Sequence, residues 1–206
     1  MAPPILEEIY NVEDALAFGG MCISLLNHAD RVAVARLAQL VNAIAPIMTE
    51  TGGPAWRQTI FWPFMHFSRL GRGRVLRTEI DSPTYATRYN DPNGAEDTYF
   101  PLPAVPYLKL AAVHDAEGRR LTLFALNRSP TDELPFRLDA LGYDGLSLNQ
   151  AVQLHDTDLK AINSKTAPDR VTPRPLGSVR VGGQRVEATL MPASWNVIEL
   201  NAPSSG

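Results

Sequence analysis

Adjacent carboxylates occur at three places in the chain, at Glu7–Glu8, Glu13–Asp14 and Glu96–Asp97. Two carboxylates support acid–base chemistry, for example glycoside hydrolysis, when they face each other about 5–5.5 Å apart across a substrate cleft. Neighbours in sequence at a helix start or in a loop instead complement the helix dipole or face water. We therefore predict no catalytic role for any of these pairs.

Two amides, Gln39 and Asn42, interrupt the apolar run from Val32 to Met48. A buried side-chain amide of glutamine or asparagine has four hydrogen-bonding positions to satisfy, and backbone groups usually satisfy them. From the residue types alone, a buried amide bonded to the backbone is favoured over a ligand-binding one for both residues. Gln39 is nevertheless the polar residue with the strongest claim to a functional role.

Metal-binding residue types are too scattered to define a site. The four histidines are His28, His66, His114 and His155, and Cys22 is the only cysteine. One cysteine excludes an internal disulfide and a zinc site built from several thiolates. We predict hydrogen-bonded structural roles for His28 and His66, a packing role for Cys22, and neither a metal nor a cofactor.

Composition narrows the class of protein. The chain has 206 residues, of which 45% are hydrophobic and 20% charged, with a formal charge of −3. That apolar share can bury a core in one large domain or two small ones, and the charge gives no general attraction to nucleic acid or to anionic membranes. A local basic cluster is predicted to pair with Glu79 and Asp81; it consists of Arg69, Arg72, Arg74 and Arg77.

The beginning of the chain lacks the basic start and apolar region of a signal peptide. The longest nearly apolar stretch, Ala15–Leu26, has 12 residues, whereas a membrane-spanning helix needs about 20. We therefore predict a soluble cytoplasmic protein with no membrane partner. The formal glycosylation sequon Asn127-Arg128-Ser129 is predicted to be unused.

The first part of the chain favours helices. Asn11 is a good N-cap for a helix extending to Leu26, and this helix is apolar all round, so it needs neighbours on more than one face. The run from Val32 to Met48 is compatible with one helix, or with a short helix followed by a buried strand at 40–45. A last helix is predicted at 55–70, kinked or divided at Pro63.

The composition changes near residue 75, where short alternating segments begin. Strands are predicted at 121–126, 136–139, 146–154 and 195–200, with a hairpin at 179–190 whose glycines suit a turn of positive φ. Short strands at this spacing favour an antiparallel sandwich.

Residues 2–73 carry a family signature in the segments NVEDAL, LLNHADRV, LAQLVNAIAPIMTE and GPAWRQTIFWPF, and the ending SWNVIEL adds weaker support. The chain closely resembles the C-terminal portion of α-L-arabinofuranosidases of glycoside hydrolase family 51. The resemblance implies an α/β fragment, the last helix–strand–helix of a (β/α)8 catalytic barrel at residues 1–74, followed by an all-β antiparallel jelly-roll sandwich at 75–206. It places helices at 11–26 and 55–70 and the last barrel strand at 39–47.

The resemblance also implies a retaining hydrolase that removes terminal non-reducing α-L-arabinofuranosyl residues from oligo- and polysaccharides. The family's two catalytic glutamates correspond to positions before Ala2, so the chain alone is expected to be inactive. Gln39 resembles the glutamine that hydrogen-bonds the arabinofuranosyl unit. The parent enzyme is expected to be a homo-oligomer.

Two non-catalytic functions remain open on the sequence. The sandwich could bind carbohydrate through exposed aromatic side chains, for which the candidates are Trp195, Tyr143, Tyr99 and Tyr107, although Trp195 lies in a strand expected to face the core. The chain could also be a structural or oligomerisation segment of a split enzyme.

Overall fold

A computed structural model of the protein describes residues 7–90 and 99–202, and the structural statements below concern these residues. The two helices are α1 (Val12–Asn27) and α2 (Phe61–Leu70). The strands are β1 (Ile47–Thr49), β2 (Ala55–Arg57), β3 (Arg74–Leu76), β4 (Thr84–Asn90), β5 (Tyr99–Pro106), β6 (Leu108–Asp115), β7 (Arg120–Asn127), β8 (Leu134–Asp139), β9 (Ser147–Leu154), β10 (Arg174–Pro175), β11 (Arg180–Gly182), β12 (Arg185–Leu190) and β13 (Ser194–Asn201).

The strands form one large sheet and three small ones, all with antiparallel pairing. The large sheet has the order β10-β9-β13-β7-β6-β3, and a three-stranded sheet has the order β11-β12-β8. Two two-stranded ribbons, β1-β2 and β4-β5, complete the set in the described ranges. The predicted antiparallel sandwich is therefore confirmed, as are the predicted strands at β7, β8, β9 and β13 and the β11–β12 hairpin, where Gly183 has a φ of 61°.

The central strands of the large sheet, β7 and β13, are buried on both faces. On one face, Leu121, Leu123 and Ala125 of β7 pack with the inward residues of β8 and β12. On the other face, Phe124 and Leu126 of the same strand pack with α1 and α2 residues. A strand covered on both sides is a continuous apolar run rather than an alternating one, which is why β7 has that pattern.

Helix α1 begins where its first backbone N–H groups all find acceptors. The Asn11 Oδ1 accepts from the Asp14 N–H at 3.0 Å, and the Asp14 carboxylate accepts from the Asn11 N–H at 2.9 Å. The Val12 and Glu13 N–H groups donate to the Ala161 and Leu159 carbonyls, both at 3.1 Å. This capping box confirms the predicted helix start, and the loop at 159–161 fastens the helix to the sandwich.

The predicted last helix is only partly right, because it begins at Phe61 rather than at residue 55. Residues 55–57 instead form β2, which pairs with β1 across a turn in which Gly52 has a φ of 70°. Pro63 lies in the first turn of α2. A proline there neither removes an intrahelical bond nor kinks the helix, so the predicted kink is wrong.

The strand predicted at residues 39–47 does not form. Asn42 and Ala43 have φ values of 62° and 55°, a left-handed backbone that an extended strand excludes. The Asn42 side chain bonds the Thr49 N–H at 2.7 Å and folds the segment back onto β1. In the described part of the chain, Val41 makes a single parallel bridge with Ile47, and the segment has no neighbouring strand along its length.

The helices meet the sandwich at Trp195 of β13, whose side chain is 1% exposed. Its indole Nε1–H donates to His66 Nδ1 of α2 at 3.2 Å, and its ring tilts against Phe124 at a centroid distance of 5.8 Å. A Cβ placed on Gly19 of α1 would lie 2.6 Å from Trp195 Cε3. Only glycine therefore lets α1 approach the ring this closely. Among the described residues, neither helix is long and apolar enough to span a membrane.

We expect Gly19→Ala to lower the free energy of unfolding by about 2 kcal/mol, because the added methyl group must displace a rigid buried ring. Gly20→Ala is the matched control on the same helix. Its Cβ would meet only the Leu126 Cδ2 at 3.2 Å, the end of a side chain that can rotate, and the higher helix propensity of alanine offsets about 1 kcal/mol. Urea unfolding of the three proteins measures the difference. Equal stability of both variants would show that the ring does not require glycine at position 19.

Candidate functional site

Gln39 lies on the irregular segment between α1 and β1, with its side chain exposed to solvent. In the described part of the chain, its amide makes no hydrogen bond to protein. Asn42 is also exposed, and its Nδ2 and Oδ1 bond the Thr49 side chain and backbone. The buried structural amide favoured by the residue pattern is therefore found at neither position: Asn42 holds a turn, and the Gln39 amide is available to a ligand.

The buried amide of this region is Gln58, which is 1% exposed. Its Nε2 donates to the Glu8 and Ala45 carbonyls at 3.0 and 2.9 Å, and its Oε1 accepts from the Tyr10 N–H at 2.9 Å. This single side chain connects the residues just before α1 to the segment that carries Gln39. Sequence analysis missed it, although a polar residue amid an aromatic-rich stretch was an available signal.

The carboxylates singled out from the sequence do not face each other across a cleft. Glu13 bonds Lys160, and Asp14 belongs to the α1 capping box. Glu7 and Glu8 are exposed, and Glu96–Asp97 lies outside the described residues. Instead, the buried carboxylate of the described chain is Glu199 on β13, where Arg120 and Asn149 bond its two oxygens at 2.9 and 2.7 Å.

The histidines have separate surroundings. The His28 Nδ1 bonds the Ser24 carbonyl at the end of α1 at 2.8 Å, and His66 accepts from Trp195, so the predicted structural roles of both are confirmed. His114 packs edge-on against Tyr143. Among the described residues, no three histidine, cysteine or acidic side chains come together as a metal site.

Cys22 is buried, as predicted, and burial raises the pKa of its thiol to about 12. A thiol with that pKa is not a nucleophile at neutral pH. In the basic cluster, Arg77 pairs with Glu79 at 3.2 Å, which confirms that part of the predicted pairing. Asp81 makes no ion pair with any described residue.

The aromatic candidates for carbohydrate binding are mostly unavailable. Trp195 is buried, as expected for its strand, and Tyr143 is half-buried against His114. Tyr107 is half-buried, with its ring tilted against that of Tyr85 at a centroid distance of 4.9 Å, while the Tyr99 side chain lies outside what the structure describes. The Asn127 side chain of the sequon is fully buried and donates to three backbone carbonyls, at Asp132, Leu190 and Met191.

Large apolar side chains are exposed on the helical side of the molecule. Leu40, Val41 and Ile44, on the Gln39 segment, are 61%, 43% and 41% exposed. Val34 and Met21 nearby are exposed as well. Exposed apolar side chains that lie together on one side of a protein typically mark an interaction site.

Comparison with known proteins defines the class to which this architecture belongs. The structure is similar to that of a family 51 α-L-arabinofuranosidase from Bifidobacterium longum, with a TM-score of 0.80 and 36% identity over 96% of this chain and 36% of that one. Intracellular exo-α-(1→5)-L-arabinofuranosidases from Halalkalibacterium halodurans and Streptomyces lividans are 45% and 46% identical over 97% and 100% of this chain.

The family profile described as the α-L-arabinofuranosidase C-terminal domain matches residues 1–194. The chain belongs to this family. It spans 37% of the Halalkalibacterium halodurans relative and 29% of the Streptomyces lividans relative, about a third of their length.

We expect Gln58→Ala to lower the free energy of unfolding by about 2 kcal/mol, since it takes the side-chain partner from the buried Ala45 carbonyl and from the partly buried Glu8 carbonyl and Tyr10 N–H. Gln39→Ala is the matched control, and we expect a change of less than about 0.5 kcal/mol because the side chain is exposed. Chemical denaturation followed by tryptophan fluorescence measures both. A Gln39→Ala loss as large as that of Gln58→Ala would mean that Gln39 is structural.

Because His66 is buried, we expect the free energy of unfolding to fall in acid. Burial lowers the pKa of His66 from 6.5 to about 4, so the unfolded chain binds a proton more readily than the folded one. The contribution of His66 is fully present above pH 6.5 and is lost as pH falls toward 4, by an amount on the order of 3 kcal/mol. The test is to measure the free energy of unfolding at intervals from about pH 7 to about pH 4, which is roughly the range between the two pKa values.

His66→Gln removes the titrating group and keeps an acceptor for the indole N–H, so its stability should fall less steeply over the same pH range. His28→Gln alters an exposed histidine and should retain the slope of the unsubstituted protein. Identical slopes for His66→Gln and the unsubstituted protein would contradict the assignment.

Proposed function

We propose that this chain is the C-terminal part of a retaining α-L-arabinofuranosidase that releases terminal non-reducing α-L-arabinofuranosyl residues from arabinosides and arabinose-containing polysaccharides in the cytoplasm. The observation that carries the proposal is the identity of nearly half of all residues with named exo-acting arabinofuranosidases over almost the whole chain. The intracellular naming of those relatives supports the location.

The chain alone is inactive in this proposal, because the general acid/base and the nucleophile come from the remaining part of the enzyme. The described acids support it. Glu13, Asp14 and Glu199 are each held by partners within the chain, and none faces a second carboxylate across a sugar-sized cleft. Retaining hydrolysis needs both carboxyl groups at about 5–5.5 Å, so neither step can proceed on these residues.

Residues 1–74 belong, in this proposal, to the end of the catalytic (β/α)8 barrel, and residues 75–206 form a jelly-roll sandwich domain. The exposed apolar side chains of Leu40, Val41 and Ile44 support the barrel assignment. These side chains would be buried if the remaining parts of a closed barrel lay beside them. The whole enzyme acts as a homo-oligomer without a cofactor.

Gln39 binds the arabinofuranosyl unit in this proposal. Its exposed amide offers donors and acceptors that no described residue uses, and sugar hydroxyls need both. Gln58 supports this role, because its Nε2 bonds the Ala45 carbonyl of the same segment and its other two bonds connect that point to Glu8 and Tyr10 before α1. Hydrogen bonds to sugar hydroxyls that strengthen in the transition state contribute to glycoside hydrolysis.

The test uses a chimaera in which this chain replaces the matching part of the Halalkalibacterium halodurans relative. With an aryl α-L-arabinofuranoside, we expect the chimaera to turn over within the range of ordinary enzymes, about 1–10³ s⁻¹, and the isolated chain to show no turnover above background. Ordinary turnover by the isolated chain would contradict the proposal that the catalytic carboxyl groups come from the remaining part of the enzyme. An inactive but folded chimaera would contradict the proposed arabinofuranosidase activity.

Within the chimaera, Gln39→Ala should lower kcat/KM about ten-fold or more through loss of hydrogen bonds to the sugar. Gln150→Ala, at an exposed glutamine of β9, is the matched control and should leave kcat/KM unchanged. If the two substitutions have the same effect, Gln39 does not contact the substrate.

A further inference from the structure

A groove of about 510 Å³ lies between helix α1 and the base of the β4–β5 ribbon. One wall is a stripe of α1 that includes Leu16, Ala17 and Met21. The opposite wall contains Tyr85 of β4, whose ring is tilted against that of Tyr107 with 4.9 Å between the centroids. The groove is thus mostly apolar, with an aromatic face on one side.

Two cations line this groove, Lys109 of β6 and Arg128 just after β7, and both are half-buried. The Lys109 ammonium donates to the Ser24 hydroxyl of α1, and the Arg128 guanidinium donates to the Pro106 carbonyl at 3.2 Å. Among the described residues, neither forms an ion pair with a carboxylate. Glu13, the acid on the groove wall, is bonded to Lys160.

Two like charges placed together out of water are unfavourable unless an opposite charge joins them. Burial, and next the charge of Arg128, lower the pKa of Lys109, in keeping with the position of both cations on the same groove wall. A bound anion would remove this repulsion and satisfy the remaining N–H donors of both side chains.

We propose that this groove, flanked by Lys109 and Arg128, binds a small sugar that carries a carboxylate or phosphate group. The cations contact the anionic group, and the Tyr85 ring and the α1 stripe contact the C–H faces of the sugar. The anionic part of the proposal rests on the charges alone, whereas the choice of a sugar rests on the proposed function. A sugar phosphate and a uronic acid share this chemistry.

The experiment measures binding to the full 206-residue chain in low-salt buffer, by calorimetry and by amide NMR shifts. The probes are arabinose 5-phosphate and galacturonate, with L-arabinose as the neutral control. We expect at least one anionic probe to bind with a Kd below about 1 mM and at least about ten-fold more tightly than arabinose, as charge-assisted hydrogen bonds require. The anionic probe that binds more tightly shows whether the groove recognises a phosphate or a carboxylate.

Lys109→Gln and Arg128→Gln should each weaken binding about ten-fold, and Lys109→Arg should restore it. Arg180→Gln, at an exposed arginine of the smaller sheet, is the matched control and should change nothing. The proposal is overturned if arabinose binds as tightly as the anions, if Arg180→Gln weakens binding equally, or if no probe binds.

The binding assay separates this inference from the proposed function, since it needs no hydrolysis. If inorganic phosphate binds as tightly as the sugar phosphate, the anion site is confirmed and the proposal that its ligand is a sugar is wrong. Sedimentation at the same concentrations detects self-association. If the chain forms a dimer that Lys109→Gln abolishes, an acid of a second copy occupies the groove and the proposal fails.

Discussion

The contact of the Trp195 indole with the backbone of α1 is the constraint on which the arrangement of the two parts depends. The ring fills the space between the large sheet and both helices, and its N–H is bonded to a histidine of α2. Phe124 and Leu126 of β7 also pack against the helices, and the carbonyls of Leu159 and Ala161 bond the first N–H groups of α1. The contact at Trp195 differs from these because only a glycine at position 19 leaves room for the ring.

The accuracy of the sequence-based predictions follows how local the determining interactions are. Strand β7 was predictable because burial on both faces makes it a nearly continuous apolar run, and the start of α1 was predictable because the Asn11 cap bonds within four residues. The segment at 39–57 was not predictable. Its conformation depends on Gln58, whose partners Glu8 and Tyr10 lie 50 and 48 residues away.

The same contrast between local and long-range interactions applies to the candidate site. Gln39 stood out because it interrupts an apolar run, but the residue pattern alone favoured a buried amide there, and only the resemblance pointed to a bound sugar. The buried amide is Gln58 instead. The groove at Lys109 and Arg128 could not be found from sequence either, because its walls come from α1, β4, β6 and the end of β7, which only the folded chain brings together.

The buried amide of Asn127 has a consequence for producing the protein. Its nitrogen donates to one carbonyl between β7 and β8 and to two at the end of β12, so a glycan attached there would occupy space that the sandwich needs. A eukaryotic secretory host could modify this asparagine only before the sandwich closes. Each modified molecule would then be barred from the native fold, which makes a bacterial cytosol the appropriate host and an Asn127-linked glycan a marker of misfolded material.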